Sequence, residues 1–493
     1  MIHRKADVSG LADTYDIAII GAGPAGMSAA SEAAAAGLKT IVFDENPTAG
    51  GQIYRGIEYN TEARRPFLGE DYWQGSALLQ TFLRSNACYL PEALVWSVEQ
   101  IESHNDAYLE IRVSAGGKSK IVQARRLILA TGAMERPMPV QGWTLPGVMT
   151  IGAAQIALKA SGLMPNKNVV LAGAGPLLYM FAAQLLEAGG KISALLDTTP
   201  RANWMKAAPH LLSFFTSSYA FKGLSLLWKV KKSVPIYSGV EGLRITGTNK
   251  AEAVEFTAKG KQRWLAVDGV FLHQGVIPNI NLTNSIGCDL VWNDRQKCFQ
   301  PRLDKNGLTS MKSVYVAGDG GGIGGAVVAE CSGKIAALAA CQELIPARSE
   351  FWRQRLKEQQ ATIKRLLRGR DFIDALYLPA QNYRAPQNND VIICRCEEVT
   401  AGAIREAASQ NVVGPNQLKT MLRCGMGPCQ GRMCLSTVTE LLAEAQNRRP
   451  QDVGSYRLRA PIKPVPLSEI ATLPQTPDAI FAVTGEHPDT PNS

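Results

Sequence analysis

Two glycine-rich turns, each set between an apolar strand and a helix, constrain this 493-residue chain more than any other feature. The first, Gly21-Ala22-Gly23-Pro24-Ala25-Gly26, follows the apolar run 15–20 and opens an alanine-rich helix, 25–36, stopped by Gly37. A second strand, 40–43, then ends at the acids Asp44 and Glu45. The spacing has a physical reason. Gly21 permits the tight turn, Gly23 lets the backbone approach a pyrophosphate, and Gly26 lets helix and strand pack closely. The helix N-terminus at Pro24 and Ala25 offers free N–H groups and a positive dipole end to phosphate, and Asp44 is placed to accept hydrogen bonds from an adenosine ribose. Strand, turn, helix and acid in this order predict a dinucleotide site.

The pattern recurs at 168–197. A strand at 168–172 runs into Gly173-Ala174-Gly175-Pro176-Leu177-Leu178, a helix follows, and a strand at 192–196 ends at Asp197. A second unit of the same kind is therefore inserted within the first. Leu178 stands where the third glycine belongs, and its side chain is expected to hinder close packing at a pyrophosphate, which leaves NAD(H) binding here open.

The ten cysteines are unevenly placed. Cys394, Cys396, Cys424, Cys429 and Cys434 cluster near the C-terminus, while Cys88, Cys288, Cys298, Cys331 and Cys341 are scattered and read as core residues. The N-terminus lacks the apolar stretch of a secretory signal, so the cluster is expected to hold metal in a reducing compartment. Four thiolates suffice for a [2Fe–2S] cluster; a structural zinc is the alternative, although CxC is an uncommon zinc spacing.

Three further segments decide which nucleotide the first site takes. Gly50-Gly51-Gln52-Ile53-Tyr54-Arg55, the strand end at Thr131-Gly132, and Val314-Tyr315-Val316-Ala317-Gly318-Asp319 resemble recurring segments of two-dinucleotide-domain flavoproteins. That resemblance implies an α/β fold of the disulfide-reductase-like kind, with FAD held by Gly51, Gln52, Thr131, Gly132, Gly318 and Asp319 besides the first turn. Residues 1–340 contain no CxxC or CxxxxC pair, so disulfide reduction is not expected. The CxC pair with a distant second pair resembles the bacterioferritin-associated ferredoxin-like [2Fe–2S] domain. In the similar version at the end of anaerobic glycerol-3-phosphate dehydrogenase subunits, no cysteine occupies the place of Cys424. This implies Cys394, Cys396, Cys429 and Cys434 as ligands, with Cys424 a neighbour or substitute.

Ala130-Thr131-Gly132-Ala133-Met134-Glu135-Arg136-Pro137 and Gly142-Trp143-Thr144-Leu145-Pro146-Gly147, with the segments above, resemble the larger subunit of bacterial amine- and amino-acid-oxidising complexes over about residues 14–463. Opine oxidases, hydrogen cyanide synthase and D-hydroxyproline dehydrogenase are of this kind. The resemblance implies an electron-transfer subunit. Its partner would be a smaller, FAD-containing amine-oxidase-like subunit that oxidises the C–N bond, with FMN at the subunit interface and in some cases a small ferredoxin-like chain. It also leaves FAD, ATP or NAD open at the first site. A self-contained NAD(P)H-dependent reductase feeding its own cluster is the alternative, and Leu178 argues against it.

Length suggests about three folded units. The expected division is a nucleotide domain at 14–150 and 275–345, an inserted domain at 151–274, a helix and linker at 346–390, a small helical [2Fe–2S] domain at 391–448 and an extended tail at 449–493. The net charge of +9 is spread along the chain without a nucleic-acid motif, which argues against nucleic acid and fits an acidic partner or an anionic membrane face. The apolar stretch from His210 to Trp228 is too short and too polar to span a membrane and reads as a buried helix pair or a docking surface. A cytoplasmic chain with peripheral contact to the inner membrane face is compatible with this. None of the five histidines, His3, His104, His210, His273 and His487, lies in a nucleophile or metalloprotease pattern, and no catalytic side chain is assigned.

Overall fold

A computed structural model describes residues 1–102, 107–165, 169–475 and 477–486. His104, Asn168 and His487 lie outside them. The first glycine turn joins strand Thr14–Ile20 to helix Pro24–Ala35. That strand is central in a sheet ordered His3–Arg4, Cys88–Leu90, Thr40–Phe43, Thr14–Ile20, Lys118–Leu129, Ala107–Ala115, Leu94–Glu102. Thr40–Phe43 and Lys118–Leu129 flank it in parallel, and Val314–Val316 returns from far along the chain to pair in parallel with Lys118–Leu129. Parallel pairing buries both faces, which is why these strands read as continuous apolar runs.

Helix Pro24–Ala35 packs on helix Ala326–Leu344 through small residues, Ala25, Ala29 and Ala33 against Ala336, Ala337 and Ala340. The approach is so close that a Cβ on Gly333 would lie 2.0 Å from the Ala25 carbonyl oxygen. This contact fixes the helix whose N-terminus faces the first turn. Helix Ser349–Leu366 covers the pair with Trp352 and Leu356, and its cationic face is solvated apart from Arg355, which pairs with Glu32.

The inserted unit has a parallel sheet in the order Ile236–Ser238, Ile192–Asp197, Val169–Ala174, Gly269–Gln274, Val148–Thr150, plus a three-stranded antiparallel meander at 241–266. Strand Val148–Thr150 thus hydrogen-bonds into the second sheet ahead of residue 151. Strands Ala133–Glu135 and Val276–Pro278 pair antiparallel and carry the chain between the units.

Within residues 379–390, Tyr383 to Pro386 are buried while 387–390 are exposed. Tyr383 is buried with its hydroxyl donating to Val240 O, and Arg384 forms an interior ion pair with Glu440. The cysteine domain comprises strands Ile392–Cys394 and Val399–Thr400 and helices Ala401–Ser409, Pro415–Leu422 and Leu435–Ala445. Thr400 caps the first of these helices by accepting from Ala403 N, as its position before an apolar run predicts.

The tail lies on its own chain. Tyr456, Leu458 and Ile462 are buried, Asn284 Nδ2 donates to Tyr456 O, Lys419 Nζ to Arg457 O and Ile462 N to Trp96 O, and Lys463 pairs with Glu45. It straps the cysteine domain to the first nucleotide unit.

Candidate nucleotide site and cysteine centre

The glycines of the first turn sit where side chains would collide. Gly21 has φ +106°, and a Cβ on Gly26 would sit 1.8 Å from the Gly21 carbonyl oxygen. Gly51, at φ +61°, faces Gly23 so closely that its Cβ would come within 2.9 Å of the Gly23 Cα. Two bare backbones therefore line the approach to the N-terminus of helix Pro24–Ala35, and Gly50 N donates to Ala22 O to hold them together. Arg55, from the same loop, has a buried Nε without a partner, and its charge acts on Asp44. A helix N-terminus, two facing glycines and an unsatisfied guanidinium suit the phosphates of an adenine dinucleotide.

Asp44 is 5% exposed, and burial pushes its carboxyl up. One oxygen accepts from Ala22 N and the other from Asn46 N and Nδ2 at 2.8 and 2.7 Å. The acid thus holds the glycine turn in shape. Glu45 lies at the surface, paired with Lys463. Gln52 is exposed, and its carbonyl is gripped from the inserted unit by Lys159 Nζ, which also donates to Ile53 O at 3.0 Å and Gln155 Oε1 at 3.2 Å. Burial, followed by the charge of Arg55, lowers the Lys159 ammonium to about 7. On the far wall Asp319 Oδ1 accepts from Gly324 N and Gly325 N at 2.9 and 3.0 Å, which shapes the glycine loop, and Gly318 N donates to Ser332 Oγ. Thr131 and Gly132 both bond Asn279: Thr131 Oγ1 donates to its carbonyl, and Asn279 N donates to Gly132 O at 3.0 Å.

The second turn follows another path. Gly175 has φ +119° and ψ 163°, whereas its counterpart Gly23 has φ −76° and ψ −173°. Leu178 is fully buried in the core of the inserted unit, and Tyr179, one residue on, donates its hydroxyl to Asp197 Oδ2 at 2.6 Å. The other Asp197 oxygen accepts from Thr199 N. Both carboxylate oxygens are thus engaged within the protein, as those of Asp44 are. Beneath this turn His273, 2% exposed, hydrogen-bonds Glu135, whose second oxygen accepts from Gly152 N at 2.7 Å. The histidine is satisfied in the interior.

In the cysteine domain the thiols of Cys394, Cys424 and Cys434 lie within 4.8 Å of one another, all buried. Cys396 is exposed and Cys429 half-buried, and these two are hydrogen-bonded to each other. The chain thus brings Cys394 and Cys434 together with Cys424, and Cys396 together with Cys429. Cys396 packs on Gly427, where a Cβ would come within 2.2 Å of its own. Hydrogen bonds from the Cys424 and Cys434 thiols, then the N–H groups of Gly425 and Glu397, lower Cys394 to about 2. Sulfur ligands, glycines that let N–H groups reach sulfur, and burial of Cys394, Cys424 and Cys434, with Cys396 left at the surface, suit an iron–sulfur cluster. The five scattered cysteines are all buried, and burial raises each thiol, as core residues require.

Two residues that motif reading did not single out, Tyr456 and Asn281, hold this centre together with Trp143 of the Gly-Trp segment. Tyr456, from the tail, lies against Gly425 and Gly431, where a Cβ would come within 2.6 and 2.5 Å of its ring. Its hydroxyl is 3.4 Å from Cys424 Sγ and 3.6 Å from Cys434 Sγ. Trp143 Nε1 donates to Ile392 O at 2.7 Å, tying the Gly-Trp segment to the first cysteine strand. Asn281, two residues after the Asn279 that bonds the nucleotide loop, directs Nδ2 to Cys429 O and Gln430 O, each at 3.5 Å.

The pyridine nucleotide-disulphide oxidoreductase family matches residues 15–333, and the BFD-like [2Fe-2S] binding domain matches 392–444. The chain is 51% identical to an opine oxidase A subunit of Rhizobium meliloti over 99% of this chain and 93% of that protein. It is 49% identical to the opine oxidase A subunit of Agrobacterium tumefaciens (strain Ach5), over 99% and 98%. Against the HcnB subunit of hydrogen cyanide synthase from Pseudomonas aeruginosa the identity is 30%, over 92% and 98%. Among solved structures, L-proline dehydrogenase from P. horikoshii shares the fold, with a TM-score of 0.66 at 20% identity over 94% of this chain and 79% of that one. The chain is an oxidoreductase of the pyridine nucleotide-disulphide oxidoreductase family with an appended BFD-like [2Fe-2S] domain, and it belongs with the opine oxidase A subunits.

Proposed function

We propose that this chain is the electron-transfer flavoprotein and iron–sulfur component of a heteromeric cytoplasmic dehydrogenase. In this reading an amine, amino-acid or opine C–N bond is oxidised at FAD on a smaller amine-oxidase-like partner. The observation that carries the reading is the short connection between the two centres. Thr131 and Gly132 of the nucleotide loop bond Asn279, and Asn281 reaches the backbone of the cysteine loop at Cys429 and Gln430. A chain that only bound nucleotide would not need its metal loop hinged to its nucleotide loop.

FAD, or another adenine nucleotide, is assigned to Gly21, Gly23, Pro24, Ala25, Gly26, Asp44, Glu45, Gly51, Gln52, Thr131, Gly132, Gly318 and Asp319. The [2Fe–2S] ligands are assigned as Cys394, Cys396, Cys429 and Cys434, with Cys424 beside them. Bound there, FAD and the cluster would supply carriers able to pass single electrons, and the protein's own part is to hold the two sites at fixed separation, with Cys394 and Cys434 buried and Cys396 at the surface. FMN at the subunit interface and a small ferredoxin-like chain complete the proposed assembly. Substrate chemistry on a partner agrees with the interior pairing of His273 with Glu135 and of Tyr179 with Asp197.

Dye-linked oxidation of a panel of opines and secondary amino acids tests the reading, with the chain assayed alone and co-expressed with the product of a neighbouring amine-oxidase-like gene. Turnover is expected only in the co-expressed complex. Full turnover by the isolated chain would refute it.

A further inference from the structure

Between Asp197 and Glu241 the chain carries no acidic residue and six cationic ones, Arg201, Lys206, Lys222, Lys229, Lys231 and Lys232. This segment forms helices Ala202–Ala207, Leu211–Phe215 and Ser218–Ser233 after strand Ile192–Asp197; the first two pack on helix Arg370–Leu376, and the third packs on helices Pro176–Glu187 and Leu211–Phe215. Of the two readings its sequence allows, a buried helix pair or a docking surface, the structure favours the second, because much of the stretch faces solvent. Trp204, Met205, Leu212, Phe215, Leu224 and Trp228 are between 59% and 80% exposed.

The exposure is organised. Leu224, Leu227, Trp228 and Lys231 are spaced i, i+3, i+4, i+7 on helix Ser218–Ser233, which puts them on one stripe. All four face outward, while Val230 of the same helix is buried in the core of the inserted unit. The helix therefore has two apolar faces, one for the protein and one for something outside it. Lys232 lies over the Trp228 ring at 5.5 Å, so cation and aromatic share the outer surface. In the shorter helix Phe214 turns inward to stack on Phe372 at 4.3 Å, while Leu212 and Phe215 turn outward. No helix among the described residues is long and apolar enough to cross a bilayer.

We propose that this face docks the chain onto an anionic lipid surface, with Trp204, Leu212, Phe215, Leu224 and Trp228 entering the headgroup–acyl boundary and the exposed Lys206, Lys231 and Lys232 meeting lipid phosphate, while Lys229 is paired with Glu187 of the neighbouring helix. Two observations favour lipid over a protein partner. The centre of a protein interface is depleted in lysine, whereas here lysines are interleaved with the apolar residues. Tryptophan, phenylalanine and leucine beside lysine, with no acid in the segment itself, is the composition of a helix lying in a membrane interface, where apolar insertion and attraction to anionic headgroups act together. The inference is independent of which donor the complex oxidises.

The test is co-sedimentation of the full chain, alone and in complex with its partner subunit, with vesicles of phosphatidylglycerol and phosphatidylethanolamine and with vesicles of phosphatidylcholine alone. The expected result is binding to the anionic vesicles by both forms, weakened by salt, and at least roughly tenfold weaker on phosphatidylcholine. Leu212→Ser with Trp228→Ser, and separately Lys231→Glu with Lys232→Glu, should each reduce anionic-vesicle binding at least roughly tenfold while leaving iron content and helicity unchanged. No binding by the wild-type chain, binding unaffected by both double variants, or loss of binding when the partner subunit is present would overturn the proposal. The last outcome would assign the face to that subunit.

Discussion

Replacing Tyr456 by phenylalanine removes one oxygen from the cysteine centre and leaves its packing intact. The ring fills the space over Gly425 and Gly431, so a phenyl group in its place keeps the seal, while the hydroxyl 3.4 Å from Cys424 Sγ and 3.6 Å from Cys434 Sγ is lost. Of these two sulfurs Cys434 is an assigned ligand, and a hydrogen bond to its thiolate contributes about 1.5–3 kcal/mol. The reduction potential reports only the difference between oxidised and reduced cluster, a fraction of that, ~0.5–1 kcal/mol. For a one-electron couple this is about 20–40 mV. The sign follows from charge: the reduced cluster is more negative, gains more from a donor, and loses more when the donor goes, so the midpoint should fall. An EPR-monitored redox titration of the as-isolated chain reads this directly. Tyr456→Ala, which also opens the space over both glycines, should in addition make the cluster labile to air. An unchanged or raised midpoint in Tyr456→Phe would refute the assignment of Tyr456 as a sulfur donor.

Gly26→Ala should abolish nucleotide retention. Its Cβ would lie 1.8 Å from Gly21 O, and the helix cannot retreat because Gly333 already contacts Ala25; nucleotide released on denaturation should fall to background, with stability down by about 1–3 kcal/mol. Leu178→Ala in the second turn should leave that nucleotide content unchanged. NADH should not bleach the flavin of the isolated chain, because the second turn is differently shaped and buries Leu178 where the third glycine belongs; rapid bleaching at micromolar NADH would contradict this. For Lys159, the folded value of about 7 lies below the 10.5 usual for an exposed lysine. The unfolded chain therefore binds more protons between those values, and stability should rise with pH from about 7 to about 10.5. Urea midpoints of wild type and Lys159→Met across that range should converge or cross in this sense, with the wild type gaining relative to the variant as pH rises.

The first unit is legible because its glycines answer to steric demands that leave few alternatives: a Cβ at Gly21, Gly26 or Gly51 collides with backbone. The order strand, turn, helix, strand, acid then carries the topology, and the repeat at 173–178 carries the insertion. The role of Asp44 is less legible. A motif reports that an acid ends the strand, not that its oxygens are taken by Ala22 and Asn46. Cysteine spacing likewise shows that five thiols are near one another along the chain but not which converge, because the turn at Gly425–Gly431 decides that in three dimensions. Lys159, Asn281 and Tyr456 give no signal. Each acts across a domain boundary on a backbone carbonyl or a sulfur far away in sequence, and neither periodicity nor spacing records such pairs. Tyr456 is further concealed by the prolines around it, which make the tail read as extended, while its alternating apolar residues bury it against the cysteine domain.

The central claim is that this one chain carries both a nucleotide and an iron–sulfur cluster for electron relay. Chemical analysis of the isolated chain, purified without oxygen, tests it most directly. The account predicts about two irons and two acid-labile sulfides per chain, as four thiolates around a [2Fe–2S] cluster require, together with one tightly held adenine nucleotide. Zinc without sulfide would contradict it.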